Sequence, residues 1–277
     1  MSKKKILFVT QELNPYTELS ILSDIARKIP SIAHDKGYEF RVLMPKFGII
    51  NERRHRLHEV VRLSGMNIIV DDEDYPLIIK VASMPGVRLQ VYFLDNEEFF
   101  KRKAVFYDEE GNAFDDNQQR LVFFCKGVME TVKKFGWAPD IVHLHGQMTS
   151  LIPLYIREAY KNDPVFRDAK IIYSIYEDGL GKTFNQNFLD IAAINDLESS
   201  NLEAFRENGY IDLHKGALHF ADAITAGNET VNDYVAKQAE EQNKLFLESL
   251  DNVDEISKAT IDFYDKILEN KLAGTGV

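Results

Sequence analysis

The feature that most constrains this chain is an alternation of short, wholly apolar runs with amphipathic stretches of helical period. Ile6-Leu7-Phe8-Val9 carries no polar residue, the pattern of a strand buried on both faces rather than one alternating between core and water. Over 19–33 the apolar residues Leu19, Leu22, Ile25, Ala26, Ile29, Ile32 and Ala33 recur at spacings of three and four, which is a helix with one apolar stripe. Pro30 is expected to kink or break it. Gly37 stops it, and Phe40-Arg41-Val42-Leu43-Met44 reads as the next strand, ended by Pro45. Strand, helix, strand implies two parallel strands joined by a right-handed crossover. The rhythm returns as a helix over 116–135, a strand over 141–144, a helix over 149–160, a strand over 170–176, a helix over 212–220 and a strand over 223–226. The fold class is therefore α/β, a Rossmann-like, doubly wound, mostly parallel sheet. Between 57 and 95, strand-like runs over 66–70, 77–81 and 87–94 are separated by an acidic turn at 71–74 and by Pro85-Gly86. They predict a small antiparallel insertion or sheet edge. Beyond Thr230 the chain reads only as charged helix, to Asn270, with a frayed tail from Leu272.

Composition narrows the function classes. With 277 residues, 45% of them apolar, the chain can bury its own core and is not a disordered polymer. A net charge of −11 argues against nucleic acid as partner, since such binders gather phosphate-contacting cations on one face. The one dense cationic stretch, Arg53-Arg54-His55-Arg56 with His58 beyond it, is either a solvated loop or a contact for an anionic ligand or an acidic partner surface. A single cysteine, Cys125, forms no internal disulfide and fits a reducing compartment. The four apolar residues after Lys3-Lys4-Lys5 are too few for a secretory signal. No window approaches the roughly 18 apolar residues of a membrane span. The expectation is a soluble, cytoplasmic protein without a membrane partner.

Local motifs exclude more than they assign. Gly179-Leu180-Gly181-Lys182-Thr183 resembles the end of a phosphate loop, but the position five before Gly181 is Tyr176 rather than glycine, so the spacing fails. No Gly-x-Gly-x-x-Gly follows the first strand, so no dinucleotide cofactor is expected. His143 and His145 alternate at the end of a strand and so share a face. A third ligand is not evident nearby, so no metal is assigned. At the carboxyl end of a sheet strand, a histidine is placed to hydrogen-bond a ligand hydroxyl or phosphate. The plainer reading is one buried, satisfied histidine and one surface histidine. Asp115-Asp116-Asn117 is read as the cap of the following helix. Tyr75, Phe99, Phe100, Phe106, Tyr107 and Phe114 are core aromatics, or in part a rim that stacks on sugar rings. No Gly-x-Ser-x-Gly elbow is present.

Several segments, in order, resemble the N-terminal domain of bacterial glycogen synthases and plant starch synthases. They include Ile6 to Glu12 followed by Pro15, Ser23-Asp24-Ile25 through Pro30, and Arg41-Val42-Leu43-Met44-Pro45. Val91-Tyr92-Phe93-Leu94-Asp95-Asn96-Glu97-Glu98-Phe99-Phe100 is close to the family's VYFLDNPEYF, and Asp116-Asn117 with Arg120 follows it. Gly136 to His145 resembles GWKPDIIHCH, and Gly216-Ala217-Leu218 through Asp222 resembles the family's later helix and strand. The resemblance covers roughly 5–235. It implies a single lobe of a glycosyltransferase-B fold, with 1–235 as the N-terminal domain and 236–277 as a helical extension packing back on it. It also implies glucosyl transfer from ADP-glucose to an α-1,4-glucan. His145 and Asp116 match residues that face the sugar and are the candidate catalytic pair. Asn117, Arg120, His143, Thr149 and Tyr176 are candidate substrate contacts.

Departures from the family pattern bear on that activity. Where the family has KTGGL against the donor diphosphate, this chain has Glu18, Leu19, Ser20, Ile21 and Leu22. Glu18 reverses the charge, and the glycines permitting close backbone approach are absent. The family's HDWQT is His145-Gly146-Gln147-Met148-Thr149, and its HN is Tyr176-Glu177. There is no room within this chain for the nucleotide-sugar domain. The expectation is a glycogen/starch synthase-like chain inactive alone, with glucan, nucleotide sugar, a separate C-terminal synthase-like domain or another protein as partner. The alternative is a non-catalytic glucan- or protein-binding module.

Overall fold

The computed structural model describes residues 3–177, 179–180, 184, 187–194, 197 and 199–273. The first half runs β1 (Lys5–Thr10), α1 (Ile21–Asp35), β2 (Glu39–Pro45), α2 (Glu52–His55), β3 (His58–Glu59), β4 (Met66–Val70), β5 (Glu73–Ser83), β6 (Gln90–Asp95), α3 (Glu97–Phe100) and α4 (Asn117–Phe135). The second half runs β7 (Ile141–His145), α5 (Ile152–Leu154), β8 (Lys170–Ile175), α6 (Phe188–Ala192), β9 (Arg206–Glu207), β10 (Tyr210–Ile211), α7 (Leu213–Phe220), β11 (Ala223–Ala226), α8 (Asn232–Glu241), β12 (Leu245–Leu247) and α9 (Val253–Ala273). The main sheet has the order β12-β11-β8-β7-β1-β2-β6-β5-β3, with β4 paired to β5. Its strands are parallel from β12 to β6, and β5, β4 and β3 add antiparallel. β9 and β10 form a separate antiparallel pair.

The wholly apolar run forms β1 at the sheet centre, between β2 and β7, with Ile6, Leu7, Phe8 and Val9 fully buried. The antiparallel edge forms as its sequence predicts. The acidic turn shortens to Asp71-Asp72, both at positive φ, the backbone of a tight hairpin turn, so Glu73 and Asp74 already belong to β5. Pro30 is buried inside α1 without ending it, and the helix continues to Asp35. Proline removes one intrahelical bond, and packing on the sheet holds the rest.

Two expectations are corrected. The stretch 149–160 is not one helix. It divides into a 3₁₀ turn at Gln147–Thr149, the short α5 and a π-helical turn at Tyr155–Ala159. Pro153 cannot donate in the register a continuous helix would need, and the π turn closes with Tyr160 N donating to Tyr155 O at 2.8 Å. The stretch beyond Thr230 is not only helix, because Leu245–Leu247 joins β11 in parallel. The expected boundary at 235/236 falls inside α8, and β12 beyond it continues the same sheet. Of the glycine-rich loop, Gly181-Lys182-Thr183 lie outside the described residues, as do 274–277 of the tail.

The last helix, α9, lies along α1. Lys28, Lys36 and Lys4 pair with Asp254, Asp262 and Asp265 at 2.8, 3.0 and 2.8 Å. Beneath these partly exposed pairs, Ile256, Ile261, Phe263, Tyr264, Ile267 and Leu268 are buried. Surface pairs of this kind are each worth about 0–1 kcal/mol, so the apolar seam is what holds α9 in place.

Candidate functional site

In an open α/β sheet, ligands bind beyond the carboxyl ends of the strands. Here that edge is built from the segments following β1, β2, β6, β7 and β8. After β1, Thr10, Gln11 and Glu12 are buried. Glu12 turns back onto the entrance of α1: its Oε2 accepts from Leu19 N at 3.0 Å and Ser20 N at 2.8 Å, and its Oε1 from Ser20 Oγ at 3.1 Å. Ser20 then caps the helix by accepting from Leu22 N. Burial raises the Glu12 pKa above the usual carboxylate value, against the lowering effect of these donors. Glu18, Leu19 and Ser20 are exposed at the same entrance. The amides of the replaced donor loop therefore already face a carboxylate from within the chain.

After β7, His143 and His145 lie on one face with ring centroids 4.0 Å apart, as their alternation implies. Both are buried, so the reading of one surface histidine is corrected. His143 is covered by α9, which brings Tyr264 under the strand: His143 Nδ1 meets the Tyr264 hydroxyl at 2.6 Å and His143 Nε2 meets Ser174 Oγ at 2.7 Å. Ser174 continues to Thr225 Oγ1 at 2.5 Å. Burial drives the His143 pKa down to about 3, and His145 also lies well below the usual histidine value through burial and the neighbouring His143. His145 stacks on Phe8 at 4.3 Å, and its Nδ1 meets the Tyr176 hydroxyl at 2.8 Å. Its Nε2 has no partner among the described residues, although the residue is only 1% exposed. That orphaned nitrogen is the clearest polar group left unused at this edge.

Two loops close beside it. Gly146 has φ 83°, and a side chain there would overlap Gln11, so the turn after His145 needs glycine. Thr149 Oγ1 donates to Gly146 O at 2.8 Å and holds that turn. Gln147 Oε1 accepts from Leu180 N at 2.8 Å, and its Nε2 lies 3.2 Å from His214 Nε2. His214 Nδ1 lies 3.0 Å from the Tyr173 hydroxyl, and burial lowers its pKa to about 4.

The second group of expected residues gathers at the start of α4. Asp116 occupies the cap position but makes no capping bond. Its Oδ2 pairs with Arg102, and its Oδ1 is buried without a partner among the described residues. Asn117 Nδ2 donates to Phe106 O and Leu180 O at 2.9 and 3.1 Å. Arg120, 1% exposed, donates to Phe99 O at 2.8 Å, Val105 O at 2.6 Å and Asn117 Oδ1 at 2.8 Å. Burial lowers its pKa to about 10. Leu180 joins the two groups, accepting from Asn117 and donating to Gln147. The structure thus gathers His143, His145 and Tyr176 in one cluster and Asp116, Asn117 and Arg120 in another. Within them, His143, Asn117 and Arg120 make most of their hydrogen bonds to the chain itself.

Glu12, Gln147, His214, Ser174 and Tyr264 were not singled out as site residues from the sequence. Glu12 had a local signal, an acid shortly ahead of a helix start. Tyr264 had none, since it lies 121 residues from the histidine it meets. No cluster of three or more metal-binding side chains occurs among the described residues, and no described helix is long and apolar enough to cross a membrane.

Comparison with known proteins agrees with this architecture. The family model of the starch synthase catalytic domain matches residues 5–249. A glycogen synthase of Chlorobium phaeobacteroides is 33% identical over 240 residues, spanning 86% of this chain and 48% of that protein. One of Chlorobaculum tepidum is 34% identical over 270 residues, spanning 95% and 52%. The catalytic domain of Arabidopsis thaliana starch synthase IV, solved with ADP and acarbose, superposes with a TM-score of 0.76 at 19% identity, over 91% of this chain and 52% of its own. The chain spans about half the length of these relatives, and its sheet corresponds to one lobe of their glycosyltransferase-B fold. By sequence, it belongs to the starch synthase catalytic domain family.

Proposed function

We propose that this chain is a glycogen/starch synthase-like lobe that holds an α-1,4-glucan at the carboxyl edge beside His145. It does not by itself transfer glucose from a nucleotide sugar, and it works in the cytoplasm. The observation that carries this reading is the Glu12 carboxylate on the Leu19 and Ser20 amides. Glucosyl transfer from a nucleotide sugar needs cations or helix N–H groups on the departing diphosphate. At this entrance those N–H groups already face a carboxylate, Glu18 adds a second acid, and negative charge beside phosphate is repulsive.

The rest of the edge suits a neutral polyol. His145 Nε2 and Asp116 Oδ1, with Gln118 Oε1 and Arg120 Nη2 beside the latter, are polar atoms without a partner among the described residues and are the ones offered to hydroxyls, while the remaining bonds of Arg120 and Asn117 fix the loops that carry them. His143, Ser174 and Tyr264 set the orientation of the ring beside His145. An enzyme completed by a separate second lobe would expose a broad apolar face at this edge. Among the described residues, the large apolar side chains exposed there are Leu19, Ile21 and Tyr107, which favours binding without turnover. The test is the purified chain with ADP-glucose and maltoheptaose, alongside calorimetric titration with maltoheptaose alone. We expect no transfer and saturable binding that His145→Ala abolishes. Sustained turnover by the chain alone overturns the first claim, and absence of binding overturns the second.

A further inference from the structure

The cationic stretch Arg53-Arg54-His55-Arg56 plays no part in the glucan reading, and the structure gives it a context the sequence did not. Arg53 and Arg54 lie on the short α2, Arg56 ends it, and all three are exposed. Against the loop leading to α2 rests a second basic segment. Gly48 is so close to it that a side chain there would overlap the Lys101 and Arg102 carbonyls, and Lys103 Nζ donates to Gly48 O at 2.8 Å. Lys101 and Lys103 are exposed as well.

Charge accounting distinguishes this surface from the rest. Of the nearby acids, Glu52 is held by Lys46 at 2.6 Å and Lys80 at 2.9 Å, and Asp116 by Arg102, while Glu59, Glu97 and Glu98 are exposed and form no ion pair with these cations among the described residues. None of Arg53, Arg54, Arg56, Lys101 and Lys103 pairs with a carboxylate among the described residues. On the α1–α9 side, by contrast, Lys4, Lys28 and Lys36 all meet acids of α9. A protein with a charge of −11 thus carries five exposed cations outside any described ion pair, on α2 with its C-cap and on the segment after α3.

Apolar side chains border these loops. Tyr16 contacts His55 with centroids 4.9 Å apart, and the segment that follows Tyr16 exposes Leu19 at 51% and Ile21 at 43%. Beyond β3, Val61 is 78% exposed. Free phosphate gains nothing from apolar neighbours. Protein interfaces combine arginine with apolar anchors and place charges to match the partner.

We propose that this basic face docks a protein partner presenting an acidic patch with apolar anchors. The basic face follows β2 and β6 on the same carboxyl edge as His145, but none of its five cations is a group that the glucan reading uses. The net negative charge elsewhere on the chain disfavours extended polyanions such as nucleic acid and leaves a compact acidic patch as the matching surface.

The test uses fluorescence anisotropy of the full chain with a labelled 12-residue peptide of glutamates interspersed with leucine and phenylalanine. Its lysine-for-glutamate counterpart and inorganic pyrophosphate serve as alternative probes. We expect saturable binding of the acidic peptide, weakened at least tenfold between 50 and 300 mM salt, as screening requires. Arg53→Glu/Arg54→Glu should abolish it, and Lys101→Glu should weaken it at least twofold, with unchanged melting and unchanged maltoheptaose titration. Failure of the acidic peptide to bind, binding insensitive to either reversal, or displacement by equimolar pyrophosphate would each overturn the proposal. The last outcome would reassign the face to a small anion.

Discussion

Replacing Glu12 probes the entrance of α1 directly. In Glu12→Ala the Leu19 and Ser20 amides and the Ser20 hydroxyl lose their acceptor. Hydrogen bonds to a charged group contribute about 1.5–3 kcal/mol each. Two effects reduce the loss: Leu19 and Ser20 are exposed enough for water to replace part of it, and the buried carboxylate is already penalised, as its raised pKa records. The net destabilisation is about 1–3 kcal/mol, which lowers Tm by about 3–10 °C for a chain of this size. Glu12→Gln keeps one acceptor and loses less. The pH dependence has a definite sign. The folded pKa lies above the unfolded model value of 4.5, so this carboxyl stabilises the fold most when protonated, and the contribution falls as pH rises from 4.5 through the folded value. The melting difference between wild type and Glu12→Gln therefore shrinks on going from pH 4.5 to 7. Differential scanning fluorimetry reads both quantities. A Glu12→Ala protein melting within 1 °C of wild type, or a gap that widens with pH, would refute the reasoning.

Other outcomes follow from the same geometry. His143 at about 3, His214 at about 4 and His145 well below 6.5 contribute stability that is present above the unfolded value of about 6.5 and lost as pH falls below it. Unfolding free energies from urea titrations should drop between pH 7 and pH 5, by up to about 1.4 kcal/mol per pH unit for each histidine; a flat profile over that window would show the rings are not buried neutral. Tyr264→Phe removes the hydroxyl on His143 Nδ1 and should cost about 1–3 kcal/mol by leaving a buried nitrogen unpaired. It should also shift the His143 imidazole signals in a nitrogen-detected NMR spectrum, and an unchanged spectrum would argue against the contact. Gly146→Ala combines a positive φ with overlap of the Gln11 side chain and should destabilise by about 2–4 kcal/mol, checked by chemical denaturation; near-neutral behaviour would mean the turn rearranges freely.

How much of this was legible in the chain itself depended on the range of the interactions. β1 was readable because Ile6 to Val9 needs no information beyond its own four side chains. The shared face of His143 and His145 followed from strand alternation, and the antiparallel edge from turn chemistry at Asp71-Asp72 and Pro85-Gly86. Burial of both histidines was not readable, because His143 is covered by Tyr264 on a helix distant in the chain and His145 by Phe8 and Tyr176 from other segments of the sheet. The broken 149–160 segment was missed because apolar periodicity continued through Pro153 while the hydrogen-bond register did not. β12 was missed because its two leucines flank an exposed Phe246 and the three derive their strand geometry from β11. At the α1 entrance, the reversed charge of Glu18 was visible in the sequence. The larger effect, Glu12 folding onto the amides, arises only when the loop closes.

The seam between α1 and α9 bears on how this lobe can be joined to another. Residues 250–252, just after Ser249, are exposed, whereas α9 buries its apolar side against the first crossover and sends a hydroxyl to His143. A second lobe spliced between Leu250 and Asn252 would leave that docking intact and make α9 a strap returning from the inserted lobe. The same lobe fused after truncation at Ser249 would strip α1 of its cover and leave an imidazole nitrogen without its hydroxyl.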